Sequence, residues 1–162
     1  MRKIKIYIDT SVINYLVATR LPEKMSDSLA LWEIFASGEP FDVVVSDAVN
    51  RELRACYEPK KTQLLEGLSG ISHSVIEDTP EVAELANRYV EFGVLHPKHY
   101  FDLLHIAYAT VSRCKLIVSW NFKHFVNFKT MDRVNAVNLV EGYDPIRIVS
   151  PSMLLGEIDH ER

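Results

Sequence analysis

The sequence predicts an α/β domain in which helices cover both faces of a central, mostly parallel sheet of about four to five strands. Strand-like and helix-like segments alternate along the chain, which is typical of strands joined by right-handed helical crossovers. The run Leu116–Ser119 is nearly all apolar, as expected of a strand buried on both faces. Polar residues suited to helix capping directly follow two other predicted strands, at Asp9-Thr10-Ser11 and Ser46-Asp47.

The first half of the chain supplies three predicted strands and their helices. A hydroxyl of the Asp9-Thr10-Ser11 segment is expected to cap the first helix, and Gly38 is expected to end the second. The predicted strands lie at 4–8, 41–45 and 73–76. The predicted helices begin near Val12, span 25–37, follow a cap at Ser46 or Asp47 and carry Glu52, and run from after Pro59 to about Leu68.

The second half predicts more helix than strand. Thr79-Pro80-Glu81 is a typical helix start with proline near the first position, and Pro97 can open another helix in the same way. The predicted elements are helices from Thr79 and from Pro97 to about Ser112, a strand at 116–119, a helix at about 129–140, a strand at 146–149 and a short helix after Pro151.

The composition indicates one globular domain. The chain has 162 residues, 48% of them hydrophobic, which is enough for a single core, and no linker-like stretch divides it. We therefore predict a domain over residues 1–150, with residues 151–162 as its C-terminal helix or tail. The net charge of −4 argues against a protein that coats nucleic acid with a broad positive surface.

Cysteine spacing and hydropathy indicate the cellular compartment rather than the chemistry of the protein. Cys56 and Cys114 are far apart and form no C-x-x-C pattern, so they predict reduced thiols rather than a disulfide or a zinc site. The N-terminal segment lacks a continuous apolar stretch, and no run approaches the roughly 18 apolar residues of a membrane span. These features predict a cytoplasmic protein that is not bound to a membrane.

Four polar residues are placed where ligands bind in parallel sheets, which is beyond the carboxyl ends of the strands. Asp9 and Asn121 follow strands, Glu52 lies about two turns into the helix after a strand, and Asp102 lies near a helix start. Taken singly, each has a structural explanation as a turn, cap or surface residue. Asp102, however, lies in the otherwise apolar stretch Phe101–Ala109, where a buried carboxylate needs a cation or a hydrogen-bond donor.

At these positions the chain resembles PIN domains, in particular toxins of the VapC type. The resemblance rests on Ile6–Ile13 with its Asp9, Ser46–Leu53 with its Glu52, Asp102-Leu-Leu-His-Ile-Ala-Tyr-Ala109, and Leu116–Phe125 with its Asn121. Order and spacing both match as far as about Phe125. The form Ser119-Trp-Asn-Phe-Lys-His resembles one subset of the family, and the segment Asn138–Pro151 is expected to belong to that subset rather than to a second domain.

The resemblance implies a PIN-like three-layer α/β/α sandwich and a Mg²⁺- or Mn²⁺-dependent endoribonuclease. Asp9 would be the central ligand, completed by Glu52, Asp102 and Asn121 directly or through water. Three converging carboxylates repel one another unless a hard divalent cation neutralises them, and such a cation can activate water for in-line attack on a phosphodiester. Many family members carry aspartate where this chain has Asn121, so we expect one well-occupied metal position and a weak second one.

Several other residues have open roles. Thr10 and Ser11 are expected to cap the following helix, although either hydroxyl could orient a metal-bound water, and Ser119 has the same two interpretations. His105 is expected to be a packed histidine bonded to a backbone carbonyl rather than a general base. RNA-binding candidates are Arg51, Arg54 and Lys123.

The resemblance also implies an antitoxin partner, which would offer an arginine to the carboxylates, and a homodimer. Apolar positions at Leu16, Leu21 and Trp32 fit either an interface or the core.

Other assignments have less support. His96, His99 and Asp102 recur every three residues and could form a transition-metal site, but Pro97 disfavours a helical His96. A phosphatase with Asp9 as nucleophile would want an acid where Ser11 stands, and no glycine-rich nucleotide motif is present. A PIN fold with a weakened site, acting as an RNA-binding or protein-interaction module, is the main alternative.

Overall fold

The structure, a computed structural model, describes residues 2–160 and confirms the predicted architecture. Five parallel strands form one sheet in the order β3-β2-β1-β4-β5, and helices cover it. The strands are β1 Ile4–Ile8, β2 Phe41–Ser46, β3 Ser74–Ile76, β4 Leu116–Val118 and β5 Arg147–Val149. The helices are α1 Thr10–Asn14, α2 Pro22–Ser37, α3 Asp47–Arg54, α4 Lys60–Ser69, α5 Pro80–Glu91, α6 Tyr100–Val111, α7 Phe128–Glu141 and α8 Pro151–His160.

The strand order explains where a ligand site can form. The chain moves from β1 outward to β2 and β3, then crosses back to β4 and on to β5, so the winding direction reverses between β1 and β4. Helices α1 to α4 accompany the first direction, whereas α5 to α7 pack with one another along the second. In open parallel sheets the crevice beyond the carboxyl ends of the strands at such a reversal is the usual place for a ligand.

The core lies on both faces of the sheet. Ile6, Tyr7 and Ile8 at the end of β1 are fully buried, and so are Ile117 and Val118 of β4. The register pairs Ile8 with Val118, so β1 and β4 end side by side. The prediction of a doubly covered strand at 116–119 is therefore confirmed, one residue shorter than expected.

Element boundaries differ from the predicted ones by a few residues. Helix α2 begins at Pro22 rather than Met25, because the fixed φ of proline suits the first helical position even before the apolar stripe begins. The predicted end at Gly38 is confirmed, with this glycine in the left-handed conformation at φ 81°. The segment opened by Pro97 starts as a 3₁₀ turn, Pro97–His99, before α6.

The C-terminal helix packs against the first half of the chain. Helix α8 contacts α2, and the Ser152 hydroxyl donates to Asp27 at 2.8 Å. The predicted limits at residues 1, 161 and 162 lie outside the described residues. Within residues 2–160 no helix has the length and apolar character that crossing a bilayer requires.

Candidate active site

Asp9 lies immediately after β1, at the point where the winding direction of the sheet reverses. It is 5% exposed and is the N-cap of α1, where its Oδ1 accepts the backbone N–H of Val12 at 3.4 Å. The prediction that Thr10 or Ser11 caps this helix is therefore wrong. The carboxylate one position earlier takes that role because it is itself a strong acceptor in extended conformation.

Two serine hydroxyls hold the Asp9 carboxylate from opposite sides. Ser11 donates to Oδ1 at 2.5 Å, and Ser119, just beyond β4, donates to Oδ2 at 2.6 Å. Ser11 also accepts the backbone N–H of Trp120 at 2.9 Å, which ties the ends of β1 and β4 together. Both serines thus fix the orientation of Asp9.

Burial has the largest effect on the pKa of Asp9. Desolvation raises its pKa above the ordinary value, in spite of the charge of His105 and the hydrogen bonds from Ser11 and Ser119, which lower it. A carboxylate in this position favours the approach of a cation, which would restore the charge compensation lost with water.

Glu52 and His105 are the end of a chain of side-chain hydrogen bonds that starts at Ser46. The Ser46 hydroxyl lies 2.7 Å from the Tyr7 hydroxyl, which lies 2.6 Å from His105 Nδ1, and His105 Nε2 donates to Glu52 Oε1 at 2.8 Å. The predicted backbone carbonyl partner of His105 is thus wrong, because the ring spans two side chains instead. The prediction of a cap at Ser46 is confirmed, since its Oγ accepts Val49 N–H.

The charges of the three acids raise the pKa of the buried His105. Burial lowers its pKa, but the hydrogen bond and charge of Glu52, followed by the charges of Asp9 and Asp102, outweigh burial and raise the pKa overall. Burial also raises the pKa of Glu52, but the hydrogen bond and charge of His105, a hydrogen bond from Thr10 and the charge of Arg51 together lower it below the ordinary value. The charges of all three predicted carboxylates thus act on one buried imidazole, which bonds directly only to Glu52 among them.

Asp102 is the third residue of α6 and is less buried than its apolar neighbours suggested, with 29% of its side chain exposed. The hydrogen-bond donor predicted for Asp102 is His124, whose Nδ1 lies 2.7 Å from Asp102 Oδ2. His99 Nδ1 lies 3.9 Å from the same oxygen. His124 was missed as a site residue, although it stands in the Ser119-Trp-Asn-Phe-Lys-His motif.

Asn121 has the local role that its turn-forming character predicts. Its Oδ1 accepts the backbone N–H of His124 at 3.0 Å, and its own N–H donates to Ser119 Oγ at 3.0 Å. These bonds shape the turn after β4 that brings His124 to Asp102. A metal-ligating role for Asn121 stays a prediction.

The predicted acids do not form one tight ligand set. Within residues 2–160, the group of at least three metal-ligating side chains whose ligand atoms all lie within 4.8 Å of one another is His99, Asp102 and His124. Asp9 and Glu52 are held separately, by serines and by His105. Direct coordination by all three acids would require their side chains to turn towards a common ion.

The residues present nevertheless fit a hard divalent cation. None of the carboxylates of Asp9, Glu52 and Asp102 forms a salt bridge with lysine or arginine in the described part of the chain. An ionised carboxylate retains acceptor sites beyond those that its hydrogen bonds use. The Thr10 side chain, next to Asp9 in the chain, lowers the pKa of Glu52 by hydrogen bonding and so favours the ionised form that a cation requires.

The basic candidates fall into two environments. Arg51 is paired with Asp78 at 2.7 Å on the surface of the protein, and Arg54 ends α3 as an exposed residue. Lys123 lines a groove that also contains both histidines near Asp102. The groove is lined by Gly93, Val94, Leu95, His96, His99, Phe122, Lys123, His124, Asn127, Lys129, Thr130 and Arg133, with no acidic residue among them.

The comparison with protein families decides the assignment of the chain. The PIN domain family matches residues 6–126, which span all four motifs. The chain belongs to the PIN domain family. The family predicted from the sequence is confirmed, whereas membership of the subset marked by Ser119–His124 stays a prediction.

The comparison with solved structures gives two similar chains. The PIN domain described here is similar to VapBC2 from Rickettsia felis, crystallised with a DNA fragment from its promoter, with 12% identity, a TM-score of 0.59, and coverage of 91% of this chain and 98% of that chain. It is also similar to VapC20 of Mycobacterium tuberculosis, described as a sarcin-ricin loop cleaving toxin, with 18% identity, a TM-score of 0.49, and coverage of 74% and 92%. No match is found among curated proteins.

Proposed function

We propose that this PIN domain is a Mg²⁺- or Mn²⁺-dependent endoribonuclease and the toxin of a type II toxin–antitoxin pair. The observation that carries the proposal is the buried carboxylate of Asp9 at the reversal point of the sheet, together with Glu52 and Asp102. Serines hold the first and histidines hold the other two, and none of the three is paired with a lysine or arginine among residues 2–160. Such an arrangement costs folding free energy unless a cation compensates it. Selection for a scaffold alone gives no reason to retain it.

The proposed ligands are Asp9 as the central one, with Glu52, Asp102 and Asn121 completing the site directly or through water. When bound, the ion would supply Lewis-acid activation of a water and stabilise negative charge on the phosphodiester. Ser11 and Ser119 orient Asp9, and His105 orients Glu52. Hydrolysis in this geometry leaves 5′-phosphate and 3′-hydroxyl ends on the RNA.

The groove beside Asp102 is the proposed path of the RNA backbone. The groove is lined by Lys123, Lys129 and Arg133, and by no carboxylate among residues 2–160. Phosphates would therefore meet positive charge as they approach Asp102. Other concave surfaces, such as the one lined by Glu81, Glu84, Glu91 and Glu141, would repel the same backbone. The structure thus favours Lys123 over Arg51, whose guanidinium is already paired with Asp78, as a contact for RNA.

The substitution Asp9→Asn tests the catalytic part of the proposal. RNA cleavage by the wild type should require Mg²⁺ or Mn²⁺, stop with chelator, and give 5′-phosphate products, and Asp9→Asn should abolish it because the central negative ligand is lost. Asp42→Asn is a matched control, since Asp42 is exposed on β2 opposite Lys5, towards the other end of the sheet. Equal cleavage by the wild type and Asp9→Asn would reject the nuclease and leave the weakened binding module.

The substitution Lys123→Glu tests the proposed RNA path. Replacing positive by negative charge in the groove should lower kcat/KM for RNA at low salt, with a difference from the wild type that shrinks as salt rises. Lys61→Glu, on α4 and outside the groove, serves as the control. Identical salt dependence in both variants would remove Lys123 from the proposed path.

The proposed partners are an antitoxin and a second copy of the chain. An arginine of the antitoxin would compete with the cation for Asp9, Glu52 and Asp102. Trp32 is a weaker interface candidate than Leu21, because its Nε1 donates to Gly67 O at 2.8 Å, whereas Leu21 is 46% exposed. Co-purification of the product of an adjacent gene and light scattering of the isolated chain test these two assignments.

A further inference from the structure

We propose that His99, Asp102 and His124 form a second cation site, which binds a borderline transition ion such as Zn²⁺ rather than Mg²⁺. Their ligand atoms lie within 4.8 Å of one another, with 2.7 Å from His124 Nδ1 to Asp102 Oδ2 and 3.9 Å from His99 Nδ1 to the same oxygen. Ligands at about 2.0–2.1 Å from a tetrahedral zinc lie about 3.4 Å apart, between these two distances.

The local fold brings the three side chains together from two separate segments. His99 ends the 3₁₀ turn before α6, and Asp102 lies one turn further, on the same side. His124 comes from the turn after β4, which the Asn121 side chain fixes by accepting the His124 N–H. The two imidazole rings lie with their centroids 3.9 Å apart, so small rotations suffice to aim both at one ion.

Within residues 2–160, the His99 side chain makes no hydrogen bond, and the His124 ring bonds only to Asp102, another member of the proposed site. His99 makes no capping hydrogen bond to α6, although it occupies the N-cap position. His124 Nε2 is buried and has no hydrogen-bond partner within residues 2–160. A buried ring nitrogen without a partner is costly, and it supports the site if the ion binds His124 through Nε2 after a rotation of the ring, since an ion bound through Nδ1 would leave Nε2 unpaired. His96, by contrast, is extended, and its Nδ1 accepts Lys98 N–H, so it does not belong to the site.

The donor set determines the class of ion. Two imidazole nitrogens and one carboxylate suit zinc, iron, nickel or copper, whereas magnesium prefers oxygen ligands throughout. Both histidines also line the groove that contains Lys123, which leaves room for a water or a phosphate oxygen as the fourth ligand. The site therefore differs in chemistry from the oxygen site proposed around Asp9, with which it shares Asp102.

The shared carboxylate gives the second site a consequence for the first. An ion held by both histidines would keep Asp102 turned away from Asp9 and Glu52. Zinc should therefore inhibit Mg²⁺-supported RNA cleavage, and this consequence rests on the proposed nuclease function. The binding of zinc itself does not depend on that function.

Calorimetry of the untagged full chain with Zn²⁺, together with the visible absorption of bound Co²⁺, tests the site without an activity assay. We expect one ion per chain and a loss of affinity of at least about tenfold in His99→Gln and in His124→Gln. His96→Gln, a histidine change on the same groove, should bind as the wild type does. Because His99 makes no structural hydrogen bond, His99→Gln should stay folded even if His124→Gln does not.

Asp9→Asn separates this proposal from the proposed function. Zinc affinity retained in Asp9→Asn, with RNA cleavage lost, supports two distinct sites. The proposal is overturned if wild-type protein binds no Zn²⁺, if His99→Gln binds it as tightly as the wild type, or if affinity disappears with Asp9→Asn. Cleavage that survives Asp9→Asn would instead reject the nuclease and leave the zinc site standing.

Discussion

The hydroxyl of Tyr7 joins the core of the sheet to the candidate active site, and its removal should have a measurable cost. Tyr7→Phe removes the bonds to Ser46 Oγ and His105 Nδ1 without creating a cavity, because the ring is fully buried and is retained. Ser46 keeps its bond from Val49 N–H, whereas the Nδ1 atom of the buried His105 is left without this partner. A buried polar group left unpaired costs about 1–3 kcal/mol, so we expect a loss of about 2 kcal/mol in the free energy of unfolding.

Tyr108 provides a matched control for this prediction. It is as deeply buried as Tyr7, but its hydroxyl has no hydrogen-bond partner within residues 2–160. Tyr108→Phe should therefore leave stability unchanged or raise it, since a desolvated hydroxyl without a partner is removed.

Urea unfolding of the two variants measures the difference directly, and thermal unfolding should place Tyr7→Phe about 4–8 °C below the wild type. If both variants unfold at the same urea concentration, the hydrogen-bond chain from Ser46 to Glu52 does not contribute as argued.

Two further predictions concern the site and the thiols. Ser119→Ala removes a donor from the buried carboxylate of Asp9 and should lower stability by about 1.5–3 kcal/mol in metal-free protein as measured in urea; an unchanged midpoint would mean that Ser119 does not hold Asp9. Burial raises the pKa of Cys114 to about 11, so only about 0.1% of this thiol is thiolate at pH 8. A colorimetric thiol reagent should therefore label the half-buried Cys56 first, and fast reaction of both thiols would contradict the burial of Cys114.

The sheet was predictable because its strands carry their own signal. Leu116–Val118 is apolar throughout, as a strand covered on both faces must be, and Asp9 marks the end of β1 by its charge alone. The effect of Pro97 was also local: the residue before a proline avoids the helical region, and His96 indeed has φ −60° and ψ 143°. These features depend on neighbouring residues, so a single sequence contains them.

The partners of the site residues were not predictable in the same way. Tyr7 and His105 are 98 residues apart, and no periodicity of either segment indicates that their side chains meet. His124 lies in a turn, where neither helical nor strand spacing applies, and it reaches Asp102 only because Asn121 folds that turn. The failed assignment of the first helix cap has a related cause, since Asp9, Thr10 and Ser11 all suit an N-cap and the sequence does not show which of them is the last extended residue.

The way in which the acids are held has a consequence for the affinity of the proposed metal site. Glu52 is bonded to His105 and Asp102 to His124, so an ion that draws both carboxylates towards Asp9 must break two charge-assisted hydrogen bonds. Each such bond is worth roughly 1.5–3 kcal/mol, which the new metal–oxygen bonds have to exceed before any net binding is seen. In place of the well-occupied position expected from the sequence, we therefore expect weak Mg²⁺ binding in the absence of RNA and much tighter binding when a substrate phosphate adds its own oxygen ligands. The hydrogen bonds that stabilise the fold would thus couple occupancy of the site by metal to the presence of its substrate.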